Sequence, residues 1–160
     1  MLDFLLRSVL IGGFATLALD LWNILLNRTA GLPLPNWAMM GRWFRHSLAG
    51  RPYQPDVANA PGFANERAVG WAFHYGVGML FAAALLLIWP GWATNPTLLP
   101  ALIVGWVTIG CGWFIVSPCL GGGWAHARRA DPTTPRLMNI AGHTVFGLAL
   151  WLAGLALRGF

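Results

Sequence analysis

Three ionisable residues stand inside otherwise apolar stretches of this sequence: Asp20, His74 and His143. Trp22 and Tyr75 adjoin the first two, and His46, Glu66 and His126 lie in more polar segments between the stretches. A carboxylate and two imidazoles would suit Zn or non-haem iron, with His74, His143 and Asp20 as the ligands. Two histidines on separate helices would equally serve as axial ligands of a b-type haem, or hold a chlorophyll-type pigment. Gly70 and Gly78 near His74, and Gly142 and Gly147 near His143, would let a porphyrin come close to the backbone. The same imidazoles would suit a proton relay. No HxxxH or ExxH pair occurs on one helix, so spacing selects none of these chemistries. Ser8, Ser47 and Ser117 lack a GxSxG context, and hydrolase chemistry has no motif behind it.

The elements that must carry these residues follow from composition. The chain has 160 residues, 57% hydrophobic and 9% charged, where a soluble domain carries about 25% charged residues. Mean hydropathy is +0.59. A soluble enzyme, a disordered tail and a nucleic-acid binder are excluded on these grounds. The net charge of +5 comes from arginines that flank apolar runs, which suits anionic lipid head groups. Cys111 and Cys119 have no CxxC spacing and read as unpaired thiols.

Four apolar runs, at about 8–26, 68–89, 98–116 and 135–157, predict an all-α, four-helix transmembrane bundle in one domain. Thr134 reads as the N-cap of the fourth helix, with Pro135 at its first position. The long first connection holds a helical pattern with Trp37, Met40, Trp43, Phe44 and Leu48 on one face. That pattern suits a short helix lying in the head-group plane, or a re-entrant segment. Arg28, Arg42, Arg45, Arg51 and Arg67 fall in the first connection, and Arg128, Arg129 and Arg136 in the third, while 90–97 has no charge. The positive-inside rule then places both basic connections in the cytoplasm and both termini outside, with Trp89 and Trp92 at the outer interface. Arg42, Arg45, Arg128 and Arg129 are the candidate head-group contacts. The Gly121-Gly122-Gly123 turn would at most form a nest for a lipid phosphate.

Each span carries a seam of small or polar residues, the side that faces other helices in lipid. The seams read Gly13, Thr16, Asp20, Asn23, Asn27; Gly70, His74, Gly78, Ala82; Ala101, Gly105, Thr108, Gly112; and His143, Gly147, Leu150, Gly154. Asp20, His74 and His143 each lie roughly 9–12 Å from the cytoplasmic end of their span, at 1.5 Å per residue. That predicts one polar layer, with Glu66, His46 and His126 near it. An intramembrane Asp costs on the order of 2.5–3.5 kcal/mol, so it requires compensation, by a ligand or by a neighbouring helix. Trp106, Trp113 and Trp151 would meet lipid or partner helices.

The residues Gly13-Phe14-Ala15-Thr16 with Asp20-Leu21-Trp22, Gly41-Arg42-Trp43 with His46 and Gly50, and Glu66-Arg67 with Gly70-Trp71 and His74-Tyr75 form a combined signature. Pro96, Pro100-Ala101, Gly105, His143 and Phe146-Gly147 complete it. In these residues the chain resembles the bacterial integral membrane family catalogued as domain of unknown function 2938. Ser117-Pro118 stands where that family's pattern has Gln-Pro. The resemblance implies a small multi-span inner-membrane protein and no assigned activity. The expected function is that of a binding or accessory membrane protein, without catalytic residues. A haem- or metal-dependent redox protein, an oligomeric proton-linked transporter, and a subunit of a respiratory or pigment-protein complex are the alternatives.

Overall fold

The computed structural model describes residues 1–159 and is all-α among them. Helix α1 is Leu2–Ala30, α2 is Trp37–Leu48 and α3 is Glu66–Ile88. Helix α4 runs Leu98–Cys119 and α5 runs Thr133–Leu157. Helices α1, α3, α4 and α5 are each long and apolar enough to cross a membrane. Their outward side chains include Leu5, Leu10, Phe14, Leu80, Leu87, Val107, Ile115 and Leu152, all exposed. A soluble protein does not leave so many large apolar side chains in water.

The chain divides into two compact units. The first comprises Met1–Leu34, Tyr75–Thr108 and the chain from Ile140 onward. It contains segments of the four long helices around a core of Ile11, Ala15, Ala82, Leu85, Ala101 and Leu150. Helices come close here where a side chain is missing. A Cβ on Gly12 would strike the backbone of Gly78 and Met79, and one on Gly78 would strike Thr16. Gly105 faces the backbone of His143 and Gly147, and Gly147 faces Ala101 and Leu102. The seam of α1 is therefore Ser8, Ile11, Gly12, Ala15, Thr16 and Asp20, one position from the expected Gly13 register. Asn27 serves instead at the helix end, where its Nδ2 donates to the Leu32 carbonyl at 2.7 Å. Trp92 turns into the protein just beyond the end of α3. It is buried at 4% exposure, donates its indole N–H to the Thr97 carbonyl at 2.9 Å, and lies over Gly154.

The second unit comprises Pro35–His74 and Ile109–Asn139. Asn36 caps α2, its side chain accepting from the Met39 N–H at 3.0 Å. Helix α2 then packs on the first turns of α3 without any side chain between the two backbones. A Cβ at Gly41 would fall on the Glu66 carbonyl, and one at Gly70 on the Trp37 carbonyl. Trp43 is buried and reaches the Pro52 carbonyl at 2.8 Å, and Phe44 and Trp43 both meet Phe73. Leu48, on the same face by its spacing, is exposed.

Helix α4 loosens into a π-helical segment at Gly112–Val116, which ends the straight seam at Thr108 and leaves Gly112 without a close neighbour. Helix α5 begins one residue before the expected cap. Asp131 caps it, Oδ1 accepting from the Thr133 and Thr134 N–H groups at 3.0 and 3.2 Å. Hydrogen bonds from the Thr134 side chain and backbone, then from Thr133, hold this carboxyl below its usual range. Both cysteines are free thiols.

Gly41→Ala and Gly70→Ala are expected to lower the thermal midpoint of the detergent-solubilised protein sharply, because backbone must move. Gly76→Ala in α3 has open space around it and is expected to be neutral or to stabilise by up to about 1 kcal/mol through helix propensity. Equal behaviour of the three variants would refute the backbone contact.

Candidate functional site

In the first unit the polar side chains collect at one level. Asp20 is 7% exposed on α1, and the Tyr75 hydroxyl hydrogen-bonds its carboxylate. The pairing follows from the helix crossing beside it: Thr16 lies on Gly78, and one turn further along each antiparallel helix come Asp20 and Tyr75. Helices α1 and α5 meet where Leu19 reaches Gly142, the chain neighbours of Asp20 and His143. Nδ1 of His143 lies 3.0 Å from the Gly105 carbonyl and 3.1 Å from Thr108 Oγ1. A carbonyl only accepts, so Nδ1 carries a proton and the neutral ring has its lone pair on Nε2. A backbone carbonyl fixes the tautomer of many metal-bound or catalytic histidines in the same way. The Trp22 indole N–H is buried and has no hydrogen-bond partner among the described residues.

The other predicted residues belong to the second unit and stand in separate settings. His74 stacks on Trp37, ring centroids 4.0 Å apart, with Trp71 at 6.0 Å. Glu66 takes a bidentate pair of hydrogen bonds from Arg42, at 2.8 and 2.9 Å. The third Arg42 nitrogen donates to the carbonyls of Val57, Ala58 and Ala60. Arg42 is thus a clamp on the first connection, its guanidinium raised further above its ordinary pKa by the Glu66 hydrogen bonds. Arg45 lies over the Phe63 ring at 4.6 Å. His46, at the end of α2, offers its backbone carbonyl to the Arg51 N–H at 2.9 Å. Among the described residues no group of three or more His, Cys, Asp and Glu side chains is arranged to hold a metal ion.

His126 joins a polar chain that spacing did not reveal. Its Nδ1 lies 3.0 Å from Ser117 Oγ and its Nε2 lies 3.0 Å from Asn139 Oδ1, which also accepts the Trp113 indole N–H at 2.9 Å. Because the indole only donates, Oδ1 is the acceptor, and Nε2 of His126 must be a donor. The Ser117 hydroxyl reaches the Gly123 carbonyl at 2.8 Å. Serine, imidazole and amide in this order resemble the nucleophile, base and orienter of covalent catalysis. Ser117, however, is 4% exposed beneath the turn, so no substrate carbon reaches it. The chain instead anchors a strained turn in which Ala125 and His126 both have positive φ, 45° and 63°, a conformation L-residues adopt at a cost. In the sequence, Asn139 is a polar residue one turn before His143 in an apolar span, a signal that could point to such a network.

Asn139→Leu removes the acceptor shared by Trp113 and His126. It is expected to destabilise the protein by about 1–3 kcal/mol, the cost of an unsatisfied buried donor, measurable by thermal unfolding in detergent. Asn139→Gln, which keeps a neutral amide acceptor, is expected to lose less than Asn139→Leu, and an equal loss in the two would argue against the network.

A family model described as a protein of unknown function, DUF2938, matches residues 9–157. No curated protein and no solved structure matches the chain. The matched segment runs from the second turn of α1 to the last residue of α5 and includes both polar constellations. The chain belongs to this family of unknown function, and its apolar helices are those of a membrane protein.

Proposed function

We propose that the protein is a membrane-integral binding or accessory protein of the bacterial inner membrane, and that its working layer is Asp20, Tyr75 and His143. The observation that carries this reading is the Asp20 carboxylate, buried within the four-helix unit, with a tyrosine hydroxyl as its hydrogen-bond partner. Ionisable side chains inside membrane helices mark ion, proton or ligand sites. A carboxylate with a neutral partner selects for something positive. That is a proton at the least, or a small cationic ligand lodged against the aromatic faces of Tyr75 and Trp22. His143, its tautomer set by Gly105, supplies a basic nitrogen at the same level.

Infrared difference spectra across a pH step, taken on the protein in lipid vesicles, are expected to contain a carboxyl band that Asp20→Asn deletes and Tyr75→Phe shifts. An identical spectrum for Asp20→Asn would mean the layer only fastens helices.

The arginine-rich connections are read as cytoplasmic, with both termini periplasmic. In a Cys111→Ser, Cys119→Ser background, a cysteine replacing Ala130 should resist an impermeant maleimide applied to intact spheroplasts. One replacing Ala93 should react. The reverse pattern would invert the topology.

A further inference from the structure

We propose that the second unit holds a binding site for the phosphodiester head group of an anionic phospholipid. It is separate from the Asp20 layer and does not depend on that reading. A cleft of about 350 Å³ is lined by Tyr53, Pro118, Gly123, Trp124, Ala127 and Arg128. Its walls have the chemistry of a lipid-water boundary. Pro118 lies in the last turn of α4, one of the apolar helices long enough to span a bilayer, so the cleft opens where such a helix runs out. Tyr53 and Trp124 are 60% and 70% exposed, and amphipathic rings of this kind settle at head-group depth.

Charge supplies the second argument. Arg128 donates its backbone N–H to the Gly122 carbonyl at 2.9 Å and its stem packs on Gly123, but among the described residues its guanidinium makes no hydrogen bond or ion pair. Every acid outside the Asp20 layer is engaged elsewhere: Asp3 by Arg7, Asp56 by Asn59, Glu66 by Arg42, and Asp131 by the start of α5. Of the neighbouring cations, Arg136 donates to the Ala125 carbonyl. The cleft therefore carries one guanidinium without an ion pair among the described residues, on the same lining as two aromatic rings, and an arginine fork matches two phosphate oxygens. The cleft is also pre-shaped. Gly123 and the strained Ala125–His126 pair are held by Ser117, His126 and Asn139, so binding a head group need not first order the turn. The occupant is a lipid, because the aromatic walls suit its glycerol and upper acyl chain and a free phosphate has no use for them.

Native mass spectrometry of the delipidated, detergent-solubilised full chain, titrated with phosphatidylglycerol or phosphatidylcholine, tests this. The wild type is expected to retain one phosphatidylglycerol preferentially. Arg128→Gln and Trp124→Ala are each expected to weaken that adduct by about tenfold, the worth of one charge-assisted contact. Arg129→Gln is expected to leave it within about twofold. Equal retention of both lipids, an unchanged Arg128→Gln, or an equal loss in Arg129→Gln would overturn the site. Thermal midpoints of the lipid-free variants identify any that fail to fold; for these, Arg128→Lys, which keeps charge without the fork, replaces them and is expected to show an intermediate loss, and a Lys variant equal to wild type would overturn the arginine assignment. Glycerol phosphate is added as a competitor. If it displaces the lipid at equal concentration, the site is one for soluble phosphate esters and the lipid assignment fails.

Discussion

Helices surrounded by lipid gain little by hiding leucine, because the lipid is as apolar as the leucine. What holds them together is close approach and the hydrogen bonds that close approach permits. In this protein that condition is met by glycine at each principal crossing. Gly12 and Gly78 bring α1 to α3, Gly105 and Gly147 bring α4 to α5, and Gly41 and Gly70 bring α2 to the start of α3. The remaining contacts depend on these approaches. Tyr75 reaches Asp20 because Thr16 rests on Gly78, and His143 reaches Thr108 and a backbone carbonyl because Gly105 leaves room. Arg42 reaches Glu66 because Gly41 sits on the Glu66 carbonyl.

Polar side chains then act in two ways. Many fasten: Trp106 to Thr144, Trp113 to Asn139, Trp92 to Thr97 and Trp151 to Pro96 each give an indole N–H an internal acceptor. These tryptophans are tied within the chain, whatever else their outer faces meet. A smaller number do more than fasten. Asp20 is costly where it stands, and Arg128, one of several arginines without an ion pair among the described residues, is the one that lines the cleft beside Tyr53 and Trp124, so these two separate from the background of structural bonds.

The sequence is legible where a period repeats. Four apolar runs predict the four helices, and small residues at spacings of three and four mark, on α3 and α5, the faces that pack. On α1 two adjacent glycines satisfied the same period, and packing chose Gly12 over Gly13, a choice periodicity cannot make. The Asp20–Tyr75 pairing needed the crossing point of two helices, and the Ser117–His126–Asn139 chain needed three segments folded together. Neither is written in local spacing. Arg42 was read as a lipid contact because an arginine in a basic connection ordinarily faces outward; its bidentate fit to Glu66 follows from the glycine contact, which sequence alone did not suggest. The residues that carry the family resemblance, Gly41-Arg42-Trp43 and Glu66 with Gly70, Trp71 and His74, turn out to be the parts of that docking.

The π-helical segment at Gly112–Val116 has a wider meaning for α4. A π turn accommodates one residue more than an α turn, so the side chains beyond it are rotated by about 100° from where a regular helix would carry them. Ser117, the first residue beyond the segment, meets His126 in that shifted frame. One helix is in effect read in two frames, the first serving the four-helix unit and the second serving the arginine-bearing turn. Length in this stretch is consequently a stricter requirement than residue type: exchanging one apolar side chain for another alters a contact, whereas losing a single residue would reassign every position that follows it.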